Sequence, residues 1–254
     1  MQAQPPSNRR MARTAGLLYL IVVLTGIFSL AYVPSQLALD TNPLQALDKL
    51  LAQEQLFRYG IAAGLLCYIA FLLLPLALYR LLHPFGRVAA TVMVAFAAAS
   101  VPLSFINQLH RLEILHLLKG AELLAGLPRQ LLANQVTLSM QAYGKGMALS
   151  QLFWGLWLWP FGLLVWKSRI LPRILGLLLM LGCLGYLAQV FGPLLVPDFQ
   201  EWPYLNRLTL PASIGEIGTC LWLVIMGARE SKNRKNENHI SPVFPQHPEQ
   251  LHQR

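Results

Sequence analysis

The sequence predicts an all-α integral membrane protein: a bundle of six transmembrane helices with short amphipathic helices in its outer loops. The chain has 254 residues, of which 55% are hydrophobic and only 12% are charged, which is too apolar for a soluble domain of this size. Its apolar residues also form six runs of about 20, the length that crosses a hydrocarbon core. These runs cover residues 14–33, 60–79, 88–108, 147–165, 174–195 and 208–228.

Basic residues at the ends of these runs predict the orientation. Of the 20 Lys and Arg residues, thirteen lie on the side that carries the two tails, and seven lie on the other side. Cytoplasmic loops are the richer in Lys and Arg, so both termini are expected in the cytoplasm. An even number of spans agrees with this, because it returns the chain to the side where it began.

The spans are expected to form one domain, residues 13–229, between two polar tails. Residues 1–12 and 230–254 lack apolar periodicity and are predicted to be disordered. The net charge of +9 is spread over tails and short loops, so we expect the lipid bilayer, and no nucleic acid, as the partner. No spacing of cysteines or other residues indicates a metal or a cofactor, and neither is expected.

Two outer segments are predicted to contain short amphipathic helices. Asn42-Pro43 opens the first, over residues 44–53, where leucines recur at helical spacing. The third span is expected to continue past the membrane and to break near Gly126-Leu127-Pro128. A second amphipathic helix, over residues 129–142, follows the break and would cover the outer mouth of the bundle.

Six stretches of sequence, in this order, resemble one known family. They are RTAGLLYLI from Arg13, EQLFRYGI from Glu54, LALYRLL from Leu76, GLWLWPFG from Gly155, ILPRILG from Ile170 and IGE from Ile214. Together they resemble the bacterial multi-pass membrane proteins called domain of unknown function 4386. The resemblance implies a six-helix membrane protein, and it implies no established activity. The predicted location is the bacterial inner membrane, with both termini in the cytoplasm.

Glu216 is the only acidic residue within the six predicted spans. A charged side chain at membrane depth is costly, so its first interpretation is functional. Its depth depends on where the sixth helix begins. If Thr209 is the N-cap, with Pro211 in the first turn, Glu216 is buried. If Ser213 is the N-cap, Glu216 only completes a capping box, but the helix is then short for a membrane span.

Other polar residues are predicted at a similar level in the outer half of the bundle. Ser100, Ser104, Gln108 and Arg111 share one face of the third span. In hydrocarbon such groups must face one another or water, which predicts an outward-facing polar cavity. The alternative is that they only join helices through hydrogen bonds. The candidate binding residues are Glu216, Gln108, Asn107, Gln151, Gln189, Arg58, His110 and Lys145, of which the last three are possible partners of Glu216.

Two functions remain open at this point. The first is a small transporter or ligand-binding membrane protein that recognises a small polar or cationic molecule through Glu216. The second is a structural or regulatory membrane subunit without transport or catalytic activity. No catalytic motif is recognised, which favours a protein that is not an enzyme. The oligomeric state does not follow from the sequence.

Overall fold

The computed structural model describes residues 8–37, 42–123, 128–202 and 204–228. Of these residues 91% are helical, and none lies in a strand. The all-α prediction is therefore confirmed for the described part of the chain. Residues 126 and 127 of the predicted break, residues 1–7 of the first predicted tail and the whole of the second tail lie outside it, and helix α1 already begins at Asn8.

Eight α-helices follow one another within the described residues. Their bounds are α1 Asn8–Ile27, α2 Val33–Leu37, α3 Pro43–Ala52, α4 Glu54–Leu82, α5 Arg87–Leu123, α6 Arg129–Ser168, α7 Arg173–Leu195 and α8 Leu210–Ile225. A π-helical turn, Phe28–Tyr32, joins α1 to α2 and makes them one continuous rod. Short 3₁₀ turns occupy His83–Phe85, Phe199–Glu201 and Leu205–Arg207.

Five of these segments are long and apolar enough to cross a membrane: the α1–α2 rod, α4, α5, α6 and α7. Many of their large aliphatic side chains are exposed, as lipid-facing residues are. Helix α8 is apolar but has only 16 residues, about 24 Å at the rise of an α-helix against a hydrocarbon core of roughly 30 Å. Length and composition thus support five of the six predicted spans.

One predicted boundary is wrong. The amphipathic helix over 129–142 and the span over 147–165 are a single helix, α6, of 40 residues. Gly144 and Gly146 lie between the two predicted helices, and glycine weakens isolated helices. A Cβ on Gly146 would collide with the side chain of Asn107 in α5, so close packing against α5 explains a glycine inside an unbroken helix.

The six longest segments form a closed ring. Helix α1 packs on α4, α4 on α5, α5 on α6, α6 on α7, α7 on α8, and α8 back on α1. Gly16 of α1 lies against Leu223 of α8, and Arg9 lies near Gly227. The start of α1 and the end of α8 are therefore at the same end of the ring, which we call the terminal end.

Helix α3 lies at the opposite, distal end of the ring. Asn42 caps it by accepting a hydrogen bond from the Leu44 amide, and Pro43 occupies its first turn, a favourable position for proline. Its Leu47 and Leu50 are buried in an apolar cluster with residues of α4, α5 and α6. An ion pair between Asp48 and Arg129 joins α3 to the start of α6.

Candidate functional site

Two neighbouring cavities lie inside the ring, where α1 faces α6. One, of about 320 Å³, contains Glu216 and is lined by α1, α4, α6, α7 and α8. The other, of about 270 Å³, contains Arg111 and is lined by the α1–α2 rod, α4, α5 and α6. Leu30 and Trp154 line both. We refer to them as the Glu216 cavity and the Arg111 cavity.

Helix α8 carries Glu216 into its cavity. The helix begins at Leu210 with Thr209 as N-cap residue and Pro211 in its first turn, so the first of the two predicted starts is confirmed. Glu216 is consequently well inside the helix, half-buried. The Tyr19 hydroxyl, from α1, donates a hydrogen bond of 3.4 Å to its carboxylate.

Aromatic side chains are six of the described residues that line the cavity around this carboxylate. Trp157 is fully buried and stacks on Phe161, with ring centroids 5.1 Å apart. Phe71 meets Trp157 edge-on, also at 5.1 Å. Six rings line the cavity in all, from Tyr19, Tyr68, Phe71, Trp154, Trp157 and Tyr186.

Arg111 lies in the second cavity with only 3% of its surface exposed. Its guanidinium donates a hydrogen bond of 3.1 Å to the Ser29 hydroxyl and lies 5.0 Å and 5.3 Å from the ring centroids of Phe57 and Tyr143. A Cβ on Gly60 of α4 would come within 2.9 Å of this guanidinium, so glycine at this position leaves room for the arginine. The π-helical turn in α1 contains Ser29, and such turns are frequent at functional sites.

Asn107 and Gln108 are buried but line neither cavity. The Asn107 amide donates a hydrogen bond of 3.0 Å to the backbone oxygen of Tyr143 in α6. Gln108 packs against Gly64 of α4, where a Cβ would lie 2.6 Å from the glutamine nitrogen. Both residues therefore hold α5 close to its neighbours.

Replacing Asn107 with alanine is expected to destabilise the protein by about 1 kcal/mol, near the values found for interhelical hydrogen bonds in membranes. The reason is the loss of the hydrogen bond from α5 to the Tyr143 carbonyl of α6. Thermal unfolding in detergent measures the effect. Gln130→Ala is the control, because that amide bonds only Asn134 on its own helix. Equal midpoints for the two variants would contradict the prediction.

The two remaining glutamines have different surroundings. Gln189 of α7 donates a hydrogen bond of 3.4 Å to the backbone oxygen of Leu205 and so joins α7 to the turn before α8. Gln151 of α6 lines the Arg111 cavity. Of the eight residues predicted to bind a ligand, Glu216 and Gln151 line the two cavities, one in each.

The three predicted cationic partners of the α8 carboxylate have other surroundings. Arg58 forms an ion pair with Glu54, one turn earlier on α4. The His110 ring lies 3.9 Å from the carboxylate of Glu113 on α5. Lys145 is exposed on α6. The structure thus does not bring these three residues to Glu216.

Sequence reasoning did not name Arg111 or the aromatic rings as site residues. A signal for Arg111 was present, because it continues the polar face of the third span at helical spacing. The aromatic residues carried no such signal, since aromatic residues in apolar helices are usually packing residues. Within the described chain, no group of three or more His, Cys, Asp or Glu residues is placed to hold a metal ion.

Comparison with known proteins bears on the whole helical region. No curated protein and no solved structure matches the chain. The sequence profile described as "Domain of unknown function (DUF4386)" matches residues 14–227, which covers the ring of helices except for the first residues of α1. The apolar helices of this protein are consistent with a membrane protein. The chain belongs to the DUF4386 family.

Proposed function

We propose that this protein binds a small organic cation in the Glu216 cavity, as a ligand-binding membrane protein or a small transporter. The observation that carries the proposal is a half-buried carboxylate, held by Tyr19, in a cavity walled by six aromatic rings.

The first support is charge. Among the described residues that line the Glu216 cavity, none is Lys, Arg or His. The carboxylate receives the Tyr19 hydrogen bond, and a hydroxyl supplies no full positive charge. An ionised acid in an apolar bundle is costly unless a cation pairs with it. A cationic ligand would supply that charge.

The second support is the chemistry of the wall. The faces of Trp and Tyr rings attract cations, and recognition of quaternary ammonium groups by several rings is the best-known use of this interaction. Trp154, Trp157 and Tyr186 surround the space in front of the carboxylate, together with Tyr19 and Tyr68. Such a wall favours an ammonium group with apolar substituents over a strongly hydrated metal ion.

The third support is size. The cavity of about 320 Å³ equals the liquid volume of roughly eleven water molecules at about 30 Å³ each. A compact ligand with about that many non-hydrogen atoms fits it, which is small in comparison with most drug-sized molecules.

We further propose that α8 is the sixth crossing and that both termini face the cytoplasm of a bacterial inner membrane. Helix α8 runs antiparallel to α1 and shares the terminal end with it, which supports tails on one side. The excess of basic residues on that side supports a cytoplasmic location. The Arg111 cavity and α3 would then face outward.

Benzyltrimethylammonium is a suitable probe because it has an ammonium group, one ring and eleven non-hydrogen atoms. We expect it to bind the full-length protein in nonionic detergent and to change tryptophan fluorescence saturably, since Trp154 and Trp157 line the cavity. Glu216→Gln is expected to weaken the affinity at least tenfold, because the amide keeps the shape and removes the charge. Uptake into proteoliposomes then separates a transporter from a binding protein.

Glu201→Gln is the matched control, because Glu201 is exposed in the 3₁₀ turn Phe199–Glu201. It should bind the probe as the unmodified protein does. The proposal fails if the unmodified protein shows no saturable change, or if Glu216→Gln binds with unchanged affinity while remaining folded by size-exclusion chromatography.

A structural or regulatory subunit is the second candidate. It is favoured by the hydrogen bonds of Asn107 and Gln189, which reach backbone carbonyls of neighbouring elements and so specify packing. For such a protein, Glu216→Gln changes only the thermal midpoint in detergent, and the unmodified protein does not bind the cationic probe.

A further inference from the structure

Arg111 is a buried cation without a carboxylate partner among the described residues. It is 3% exposed, and none of the described residues that line its cavity is Asp or Glu. Glu113, the nearest acid along α5, accepts a hydrogen bond from Ser139 of α6 instead. Burying one charge without its counter-charge is strongly unfavourable. The position is therefore suited to an anion from outside the chain.

The hydrogen bonds around Arg111 leave donors for such an anion. A guanidinium has five N–H donors. The Ser29 hydroxyl donates its own proton to the Gly60 carbonyl at 2.7 Å and offers a lone pair to Arg111 at 3.1 Å. Among the described residues, the Ser29 hydroxyl accepts only part of what the Arg111 guanidinium can donate.

Two aromatic rings lie close to the guanidinium and restrict its movement. Its central carbon lies 5.0 Å from the Phe57 ring centroid, in α4, and 5.3 Å from that of Tyr143, in α6. Arg is preferred over Lys at such positions because its planar fork stacks on aromatic faces and binds two oxygens at once. A fixed, stacked fork is the usual arrangement for recognising an oxyanion.

We propose that the Arg111 cavity binds a singly charged oxyanion attached to an apolar body. The single guanidinium balances one negative charge, and Gln151 offers a neutral amide donor beside it. Most of the remaining wall is apolar and faces the body of the ligand: Leu30, Val33, Leu37, Met140 and Met147. This site rests on residues other than Glu216 and does not depend on the proposed cation site.

The ligand has two possible sources with the same chemistry. One is a free amphiphilic carboxylate, and the other is the phosphodiester of an anionic phospholipid. The cavity of about 270 Å³ equals roughly nine water molecules at about 30 Å³ each. Hexanoate, with eight non-hydrogen atoms, represents the first source, and phosphatidylglycerol represents the second.

The test measures binding to the full-length protein in two arms. In nonionic detergent, hexanoate is expected to raise the thermal midpoint saturably, while hexan-1-ol at the same concentration gives no saturable rise. In nanodiscs, native mass spectrometry compares retained phosphatidylglycerol with retained phosphatidylcholine. A response in the first arm identifies a free carboxylate, and preferential retention in the second identifies a lipid headgroup.

Arg111→Gln is expected to weaken the binding of whichever anion responds at least tenfold. Arg111→Lys keeps the charge but loses the planar fork, and we expect it to bind with intermediate affinity. Arg207→Gln, which removes an exposed cation that lies over the Tyr204 ring, should bind as the unmodified protein does. This control separates a site from a general effect of net charge.

Two results would overturn the proposal. One is the absence of a response to either anion in the unmodified protein, a measurement that needs no variant. The other is an unchanged affinity in Arg111→Gln, measured on protein that unfolds cooperatively. If Arg111→Gln does not fold, equal binding by Arg111→Lys and the unmodified protein would show that the fork has no role in recognition, and this also contradicts the proposal.

Discussion

Gly162→Ala is expected to lower the stability of the protein markedly. Gly162 of α6 and Gly176 of α7 face each other where the two helices cross. A Cβ on Gly162 would lie 2.5 Å from the Gly176 carbonyl oxygen and 3.0 Å from the Met180 amide nitrogen. Backbone atoms cannot rotate away, so the helices must separate. Overpacking of this kind costs about 1–3 kcal/mol.

The same helix provides the control for this prediction. A Cβ on Gly144 of α6 would meet no atom within 4 Å, and alanine favours a helix over glycine by roughly 0.5–1 kcal/mol. Gly144→Ala should therefore raise the thermal midpoint in detergent, whereas Gly162→Ala should lower it. Shifts of the same sign would show that the α6–α7 crossing is not as close as the structure has it.

Trp157→Ala is expected to lower the stability of the protein at least as much as Gly162→Ala does. Trp157 is fully buried, and its ring contacts those of Tyr19, Phe71 and Phe161 at centroid distances of 6.4, 5.1 and 5.1 Å. Removing a buried tryptophan leaves a void that typically costs about 3–5 kcal/mol. Since the ring also lines the Glu216 cavity, binding of benzyltrimethylammonium should weaken too.

Two further variants test the cause of this loss. Trp159 lies two residues later on α6 and is 48% exposed, so Trp159→Ala should change the thermal midpoint far less. Trp157→Phe keeps a ring and removes an indole N–H that has no hydrogen-bond partner among the described residues. It should unfold at a temperature between those of Trp157→Ala and the unmodified protein. If Trp159→Ala lowered the thermal midpoint as much as Trp157→Ala, the packing argument would be refuted.

The helices were largely predictable from the sequence because the bilayer sets their length. Residues 174–195 were predicted as a span, and α7 is Arg173–Leu195. The start of α8 was also predictable, since Thr209 and Pro211 fit the first turn of a helix. The unbroken α6 was not predictable, because the packing of Gly146 on Asn107 involves a second helix.

The candidate site was predictable in part. Glu216 was found because an acid in an apolar span is rare and costly. The predicted cationic partners of Glu216 rested only on the sign of their charge and their approximate depth in the membrane: Arg58, His110 and Lys145. The structure gives Arg58 a partner on its own helix and leaves Lys145 exposed. Depth along a helix follows from residue number, whereas the direction of a side chain depends on how the helix is rotated against its neighbours.

Composition and spacing along single helices are sufficient to predict apolar helices of membrane length, a resemblance to one family and an unusual acid at Glu216. They do not show that Glu216 faces aromatic rings or that Arg111 lies in a separate, adjoining cavity. Such contacts arise when the ring of helices closes, because each helix must then be rotated to fit two neighbours at once.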